Sequence, residues 1–133
     1  MKSDAEIKSI FYSLLRSSEL SEIISGNVYK ISRPKNSDKE DITIMILDGR
    51  NGQFQDAVVN VNIYVPDIQH GDDSFDADEV RIRELSDLSI KLLDGQVTGE
   101  YRMSVEKQPI FQVEGVNQHC INNRVLFTIK NFK

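Results

Sequence analysis

Ala57-Val58-Val59-Asn60-Val61-Asn62-Ile63-Tyr64-Val65-Pro66 is the stretch that decides the fold. Ala57, Val59, Val61, Ile63 and Val65 fall on one face of an extended chain and Asn60 and Asn62 on the other, which predicts a strand with one buried side. Pro66 ends it, because proline cannot donate to a central ladder. Upstream, Ile42-Thr43-Ile44-Met45-Ile46-Leu47 is β-rich and apolar on both faces, the pattern of an interior strand or one covered on both sides. The turn residues Asp48-Gly49-Arg50-Asn51-Gly52 join the two runs as a hairpin with a longer loop.

Towards the N-terminus, Ser3-x-x-Glu6 has the form of a capping box, followed by Ile7, Ile10, Phe11, Leu14 and Leu15 at helical spacing. After Ser17-Ser18 a second short apolar group, Leu20, Ile23 and Ile24, ends at Gly26-Asn27, where the glycine is expected to supply a left-handed C-cap. Val28, Tyr29 and Ile31 suggest a strand stopped by Pro34, and the polar run 35–41 an exposed loop. Downstream, an acidic linker over 67–73 leads to Asp76-x-x-Glu79, read as a helix cap. The core stripe Ile82, Leu85, Leu88, Leu92 and Leu93 follows, closed by Gly95. Tyr101, Met103 and Val105 alternate in one further strand and Val125, Phe127 and Ile129 in another. Between them Pro109 and Gly115 leave either a bent continuation or a separate short strand. The expected architecture is α+β in a single domain over 1–133. It has one antiparallel sheet of about four to five strands, with an N-terminal helix and a second long helix packed on one face.

Composition narrows function by exclusion. With 133 residues, 39% hydrophobic and 28% charged, the chain is long enough to bury a core and ordinary for a globular domain. Its longest apolar runs are too short to span a bilayer and its start does not read as a signal peptide, so no membrane partner is expected. Cys120 is the only cysteine, which fits a reducing cytoplasm. A net charge of −5 without clustered Lys and Arg argues against direct nucleic-acid binding.

Two stretches invite a chemical reading. His70-Gly71-Asp72-Asp73 with Asp76, Asp78 and Glu79 gathers imidazole and carboxylate, but in a calcium-loop register from Asp72 the turning glycine is replaced by Ala77 and the bidentate glutamate by Arg83. A solvated acidic loop with helix capping is preferred to a metal site. His119-Cys120 has the residues of half a nucleophile site, yet neighbours on a strand point to opposite faces. No phosphate-binding glycine loop is present. The reading is therefore of no catalytic residue, no metal and no cofactor. Polar loops carry the candidate interaction residues Arg33, Lys35, Lys39, Arg50, Asp72, Asp73 and Asp76.

The order of these features resembles the tail terminator, or tail-completion and head-to-tail joining, proteins of long-tailed bacteriophages and prophages. The resemblance spans most of the chain. It rests on Ile7-x-x-Ile10-Phe11-x-x-Leu14-Leu15, the step Gly26-Asn27-Val28-Tyr29, Pro34, the strand Val59-x-Val61-x-Ile63-Tyr64, the helix from Asp78 to Leu93, and the closing runs Tyr101-Arg102-Met103 and Val125-Leu126-Phe127-Thr128-Ile129. Lys107 to Asn117 departs from the family pattern. The resemblance implies a structural protein without a cofactor, whose copies form a ring, commonly a hexamer, that caps the tail tube and meets the head connector. It would occupy the bacterial cytoplasm during assembly and then the particle tail. Two other readings are carried: a small monomeric adaptor or immunity-type module binding through Asp72 to Glu79, and a metal-dependent hydrolase using His70 with Asp72, Asp73 or Asp76.

Overall fold

The computed structural model describes residues 3–50 and 54–130. In chain order the elements are α1 (Asp4–Arg16), α2 (Glu19–Ile23), β1 (Val28–Tyr29), β2 (Ile42–Arg50), β3 (Phe54–Pro66), β4 (Ile68–His70), β5 (Ser74–Asp76), α3 (Glu79–Leu93), β6 (Tyr101–Lys107), β7 (Ile110–Gln112) and β8 (Gln118–Lys130). The main sheet has six strands in the order β1-β2-β3-β8-β6, with β7 also against β8. The chain is α+β, as expected, but its sheet is mixed and larger than a four- to five-strand antiparallel one. β1 runs parallel to β2, because the connection over 30–41 returns the chain to the same end of the sheet before β2 begins.

The alternation read in 57–65 is realised residue by residue. Ala57, Val59, Val61, Ile63 and Val65 are all buried, opposite Phe127, Val125, Asn123, Ile121 and His119 of β8. Both helix layers pack on this side: Ile7, Phe11 and Leu15 of α1 and Ile82, Leu85 and Leu93 of α3 join these strand residues in one core. Phe11 and Phe127 meet at 5.6 Å between ring centroids and Tyr101 and Phe127 at 5.0 Å, so a trio of rings ties α1, β6 and β8 together. The capping box of α1 forms, with the Glu6 amide donating to Ser3 Oγ at 3.2 Å.

Several local expectations change. The cap of α3 is Asp78, which accepts from the Arg81 amide at 3.2 Å; Asp76 lies in β5 instead. Residues 67–73 are more than a linker, because Ile68–His70 pairs with Ser74–Asp76 as a separate two-stranded hairpin. The segment 107–117 holds the separate short strand β7. β2 continues to Arg50 where a turn was expected, and residues 51–53 of that turn lie outside the described ones.

Gly95 closes α3 in the left-handed conformation expected of it, at φ 82°. Gly26 serves a different purpose. Its φ is not positive, and α2 already ends at Ile24. A Cβ there would run into Asp41 Oδ1 and sit 2.7 Å from the Glu40 carbonyl oxygen, so the backbone of residue 26 must come this close for its amide to donate to that carbonyl at 3.0 Å. Gly26→Ala is expected to destabilise the protein by about 1–3 kcal/mol, the range for overpacking a tight site. Urea unfolding midpoints of the two proteins measure it.

Candidate functional site

The densest polar assembly sits where β2 begins. Glu40 and Asp41 are both buried. Arg81 of α3 grips Glu40 with two contacts, Nε to Oε2 at 2.7 Å and Nη2 to Oε1 at 2.8 Å, the forked geometry that suits a guanidinium to a carboxylate. Arg81 Nη2 also donates to the Ile23 carbonyl at 2.6 Å and Nη1 to Glu84 at 2.7 Å. Glu40 Oε1 accepts from the Ser25 amide at 3.0 Å, and Ser25 Oγ in turn accepts from the Glu40 amide at 2.8 Å. The adjacent Asp41 accepts from the Asn27 amide at 3.1 Å and Ser37 Oγ at 2.5 Å, with Arg33 Nη1 at 3.8 Å. The hydrogen bond to Glu40 is the chief cause that raises the Arg81 pKa above its ordinary value, so the guanidinium is charged at any physiological pH.

This assembly joins α2, α3, β2 and the loop before β2. Arg33, read as an exposed loop cation, is drawn into it: its guanidinium lies over the Tyr64 ring at 3.8 Å and donates to Gln118 Oε1. Lys35 and Lys39 remain exposed on the same loop. Arg50 is the last residue of β2, at the far end of that strand, and its side chain lies outside the described residues. Asp72 and Asp73 form the exposed turn between β4 and β5, and Asp76 meets His70 Nε2 across the hairpin at 3.1 Å. The loop cations and the acidic hairpin thus belong to different elements. Among the described residues no three His, Cys, Asp or Glu side chains converge as metal ligands.

His119 and Cys120 point to opposite faces, as alternation requires. His119 Nδ1 lies 2.6 Å from Asp67 Oδ1, and Asp67 also lines a depression of about 500 Å³ with Ser37, Asp38, Phe75 and Val116. Cys120 is 1% exposed, on the face shared with Tyr64. Burial pushes its thiol up to about 12, partly offset by the nearby Arg33.

Sequence reading missed the surface that is most unusual. All helix contacts fall on one side of the sheet, and the second side carries Met45 at 52%, Leu47 at 45% and Phe111 at 49% exposure. The run Ile42–Leu47 reads as an interior strand or one covered on both sides, yet on the second side the chain buries Thr43 and leaves Met45 and Leu47 exposed. The signal was present in the apolar residues at both parities, but nothing in it distinguished burial within the chain from burial by a partner. A buried polar layer was missed as well: Gln108 Nε2 reaches Asn123 Oδ1 at 2.7 Å and Ser89 Oγ at 3.1 Å, fastening the β6–β7 junction to α3. No protein-family model and no curated protein sequence matches the chain.

Removing one member of the Glu40 pair strands the other. Arg81→Met is expected to cost about 2–4 kcal/mol, discounted from the fully buried case because part of Arg81 reaches solvent, and the double variant Arg81→Met/Glu40→Met less than that. Chemical denaturation of the three proteins tests the ordering. For Cys120, the folded pKa lies above the unfolded one, so the neutral thiol adds stability that is complete below about 9 and lost as pH rises towards about 12. Iodoacetamide at pH 8 should label Cys120 slowly in buffer and readily in urea, as intact-mass spectrometry reports.

Proposed function

We propose that this chain is a structural subunit of a phage or prophage tail, a ring-forming tail terminator that caps the tail tube and joins it to the head. The observation that carries the reading is the second face of the sheet. An antiparallel core of long strands has all its helices on one side, while Met45, Leu47 and Phe111 stand exposed on the other. Apolar side chains exposed at the two edges of one sheet face mark interaction surfaces, and a ring of identical copies is one way to cover them. The order of elements supports the reading further: α1 and α2, the Gly26–Tyr29 step, the β2–β3 hairpin, α3 and then the closing strands follow the order on which the tail-terminator resemblance rests.

The acidic β4–β5 hairpin supports a second reading, a monomeric adaptor that recognises one partner. Its residues are all exposed, with Phe75 beside Asp72, Asp73 and Asp76. Solution mass separates the two. Light scattering over a wide concentration range, followed by negative-stain imaging, is expected to give a closed ring of several copies. A protein that stays monomeric throughout and does not bind purified tail tubes would leave the adaptor reading in its place.

A further inference from the structure

The six-stranded sheet treats its edges unequally. Along β6 the outer edge is closed by the segment that follows α3. The Gly95 amide donates to the Met103 carbonyl at 3.0 Å, the Met103 amide to the Gln96 carbonyl at 2.8 Å, and the Val105 amide to Asp94 Oδ1 at 2.9 Å. Val97 and Arg102 form an isolated bridge there. Such blunting is how proteins prevent unwanted strand pairing.

Among the described residues, a stretch of β7 and a stretch of β2 lack this protection. β7 bonds to β8 through Pro109 and Val113, whose contacts are 2.9 Å each. By the alternation of an antiparallel ladder, the N–H and C=O groups of Ile110 and Gln112 then point outward, away from β8. On the other side of the sheet, β1 covers only Ile42 and Thr43 of β2. The Asp41 carbonyl accepts from the Tyr64 amide on the β3 side, so by the same alternation Ile46 presents its amide and carbonyl outward, past the end of β1. Each open stretch is flanked by exposed apolar side chains, Met45 and Leu47 on β2 and Ile110 and Phe111 on β7.

We propose that successive copies of this chain join by pairing the outer edge of β2, around Ile46, with the outer edge of β7 of the next copy. The proposal rests on the ring reading above and specifies its interface. A head-to-tail ring needs two different complementary surfaces per copy, and these two edges, on opposite sides of one sheet, are of that kind. Strand sense also agrees. β2 is antiparallel to β3, β3 to β8 and β8 to β7, so β7 runs antiparallel to β2 within one copy. Rotation about an axis roughly along the strands preserves that sense, so the new pair is antiparallel as well.

The heights of the two edges fit a tilted ring. Ile46 is level, through Val59, with Val125 of β8, whereas Phe111 is level with Cys120, five residues away along the same strand. At about 3.4 Å per residue the offset is about 17 Å. One repeat of β2, β3, β8 and β7 spans four strand spacings, about 19 Å. Offset and width together correspond to a tilt of about 40°, within the range of about 35–45° for strands in closed barrels. Pairing would also cover Met45 and Leu47, the residues of the doubly apolar run that the single chain leaves bare.

The test uses the full chain with Leu47→Cys, with Phe111→Cys, and with both carried as a mixture of the two single variants, treated with a short bis-maleimide; both positions lie on the second face of the sheet, and native Cys120 is buried. Mass is followed by light scattering, and a further variant, Gln112→Pro, removes an outward amide without touching a bond to β8. The expected result is covalent dimers in the mixture alone. Gln112→Pro should keep its melting temperature while association weakens at least tenfold. Rings without cross-links in the mixture, cross-links within either single variant, or undiminished rings from Gln112→Pro would each overturn the edge pairing and leave the ring reading standing. A monomer in every arm would overturn both.

Discussion

Two consecutive carboxylates at the start of β2 govern how the layers of this protein meet. Glu40 faces α3 and the end of α2 through Arg81, while Asp41 faces the loop through Asn27, Ser37 and Arg33. The partner of Glu40 is distant in sequence, Arg81 standing 41 residues away, whereas those of Asp41 lie nearer, Ser37 only 4 residues before it. Burying an ionised carboxylate is unfavourable unless its oxygens are filled, and each is filled by a different part of the fold. The assembly therefore acts as a registration device. It fixes where the first helical layer ends, where α3 begins, and at which residue β2 enters the sheet. The missing side chain at Gly26 is what lets the backbone come close enough to complete it.

A second polar layer performs a similar task deeper in the sheet. Asn123 replaces an apolar residue in the middle of the buried face of β8, between Ile121 and Val125. Its Oδ1 accepts from Ser89 of α3 at 3.2 Å and Gln108 at 2.7 Å. An apolar core alone is tolerant of sliding, because hydrophobic contact has no direction. Hydrogen bonds confined to one level of the α3–β8 contact fix the axial position of the helix.

The legible parts of the fold were those with strong local periodicity. The alternation of 57–65, the stripe from Ile82 to Leu93 and the box Ser3–Glu6 each state their own conformation, and each forms as read. The errors arose where a partner distant in sequence decides. β1 joins β2 in parallel because the Ile42 amide donates to the Asn27 carbonyl at 2.9 Å after a long excursion, which no period in the sequence encodes. The β4–β5 hairpin hides behind polar residues that resemble a linker, since it buries no side chain and so needs no apolar pattern. Arg33 was legible as a cation but not as the residue that covers Tyr64, for stacking depends on tertiary placement.

β8 follows every other strand of the sheet in the chain, yet it lies in the middle of it, between β3 on one side and β6 and β7 on the other. Among the described residues, β6 and β7 each pair in that sheet with β8 alone. Until β8 docks, the sheet is therefore only β1, β2 and β3, with thirteen residues of β3 offering an unpaired edge. Closing it requires long-range pairing, which is slow relative to helix formation, and leaves a partly made chain open to pairing with the wrong neighbour. The placement of one strand thus makes completion of the fold an event of the whole chain, and it makes the interval before that event the one in which crowding of nascent copies is most hazardous.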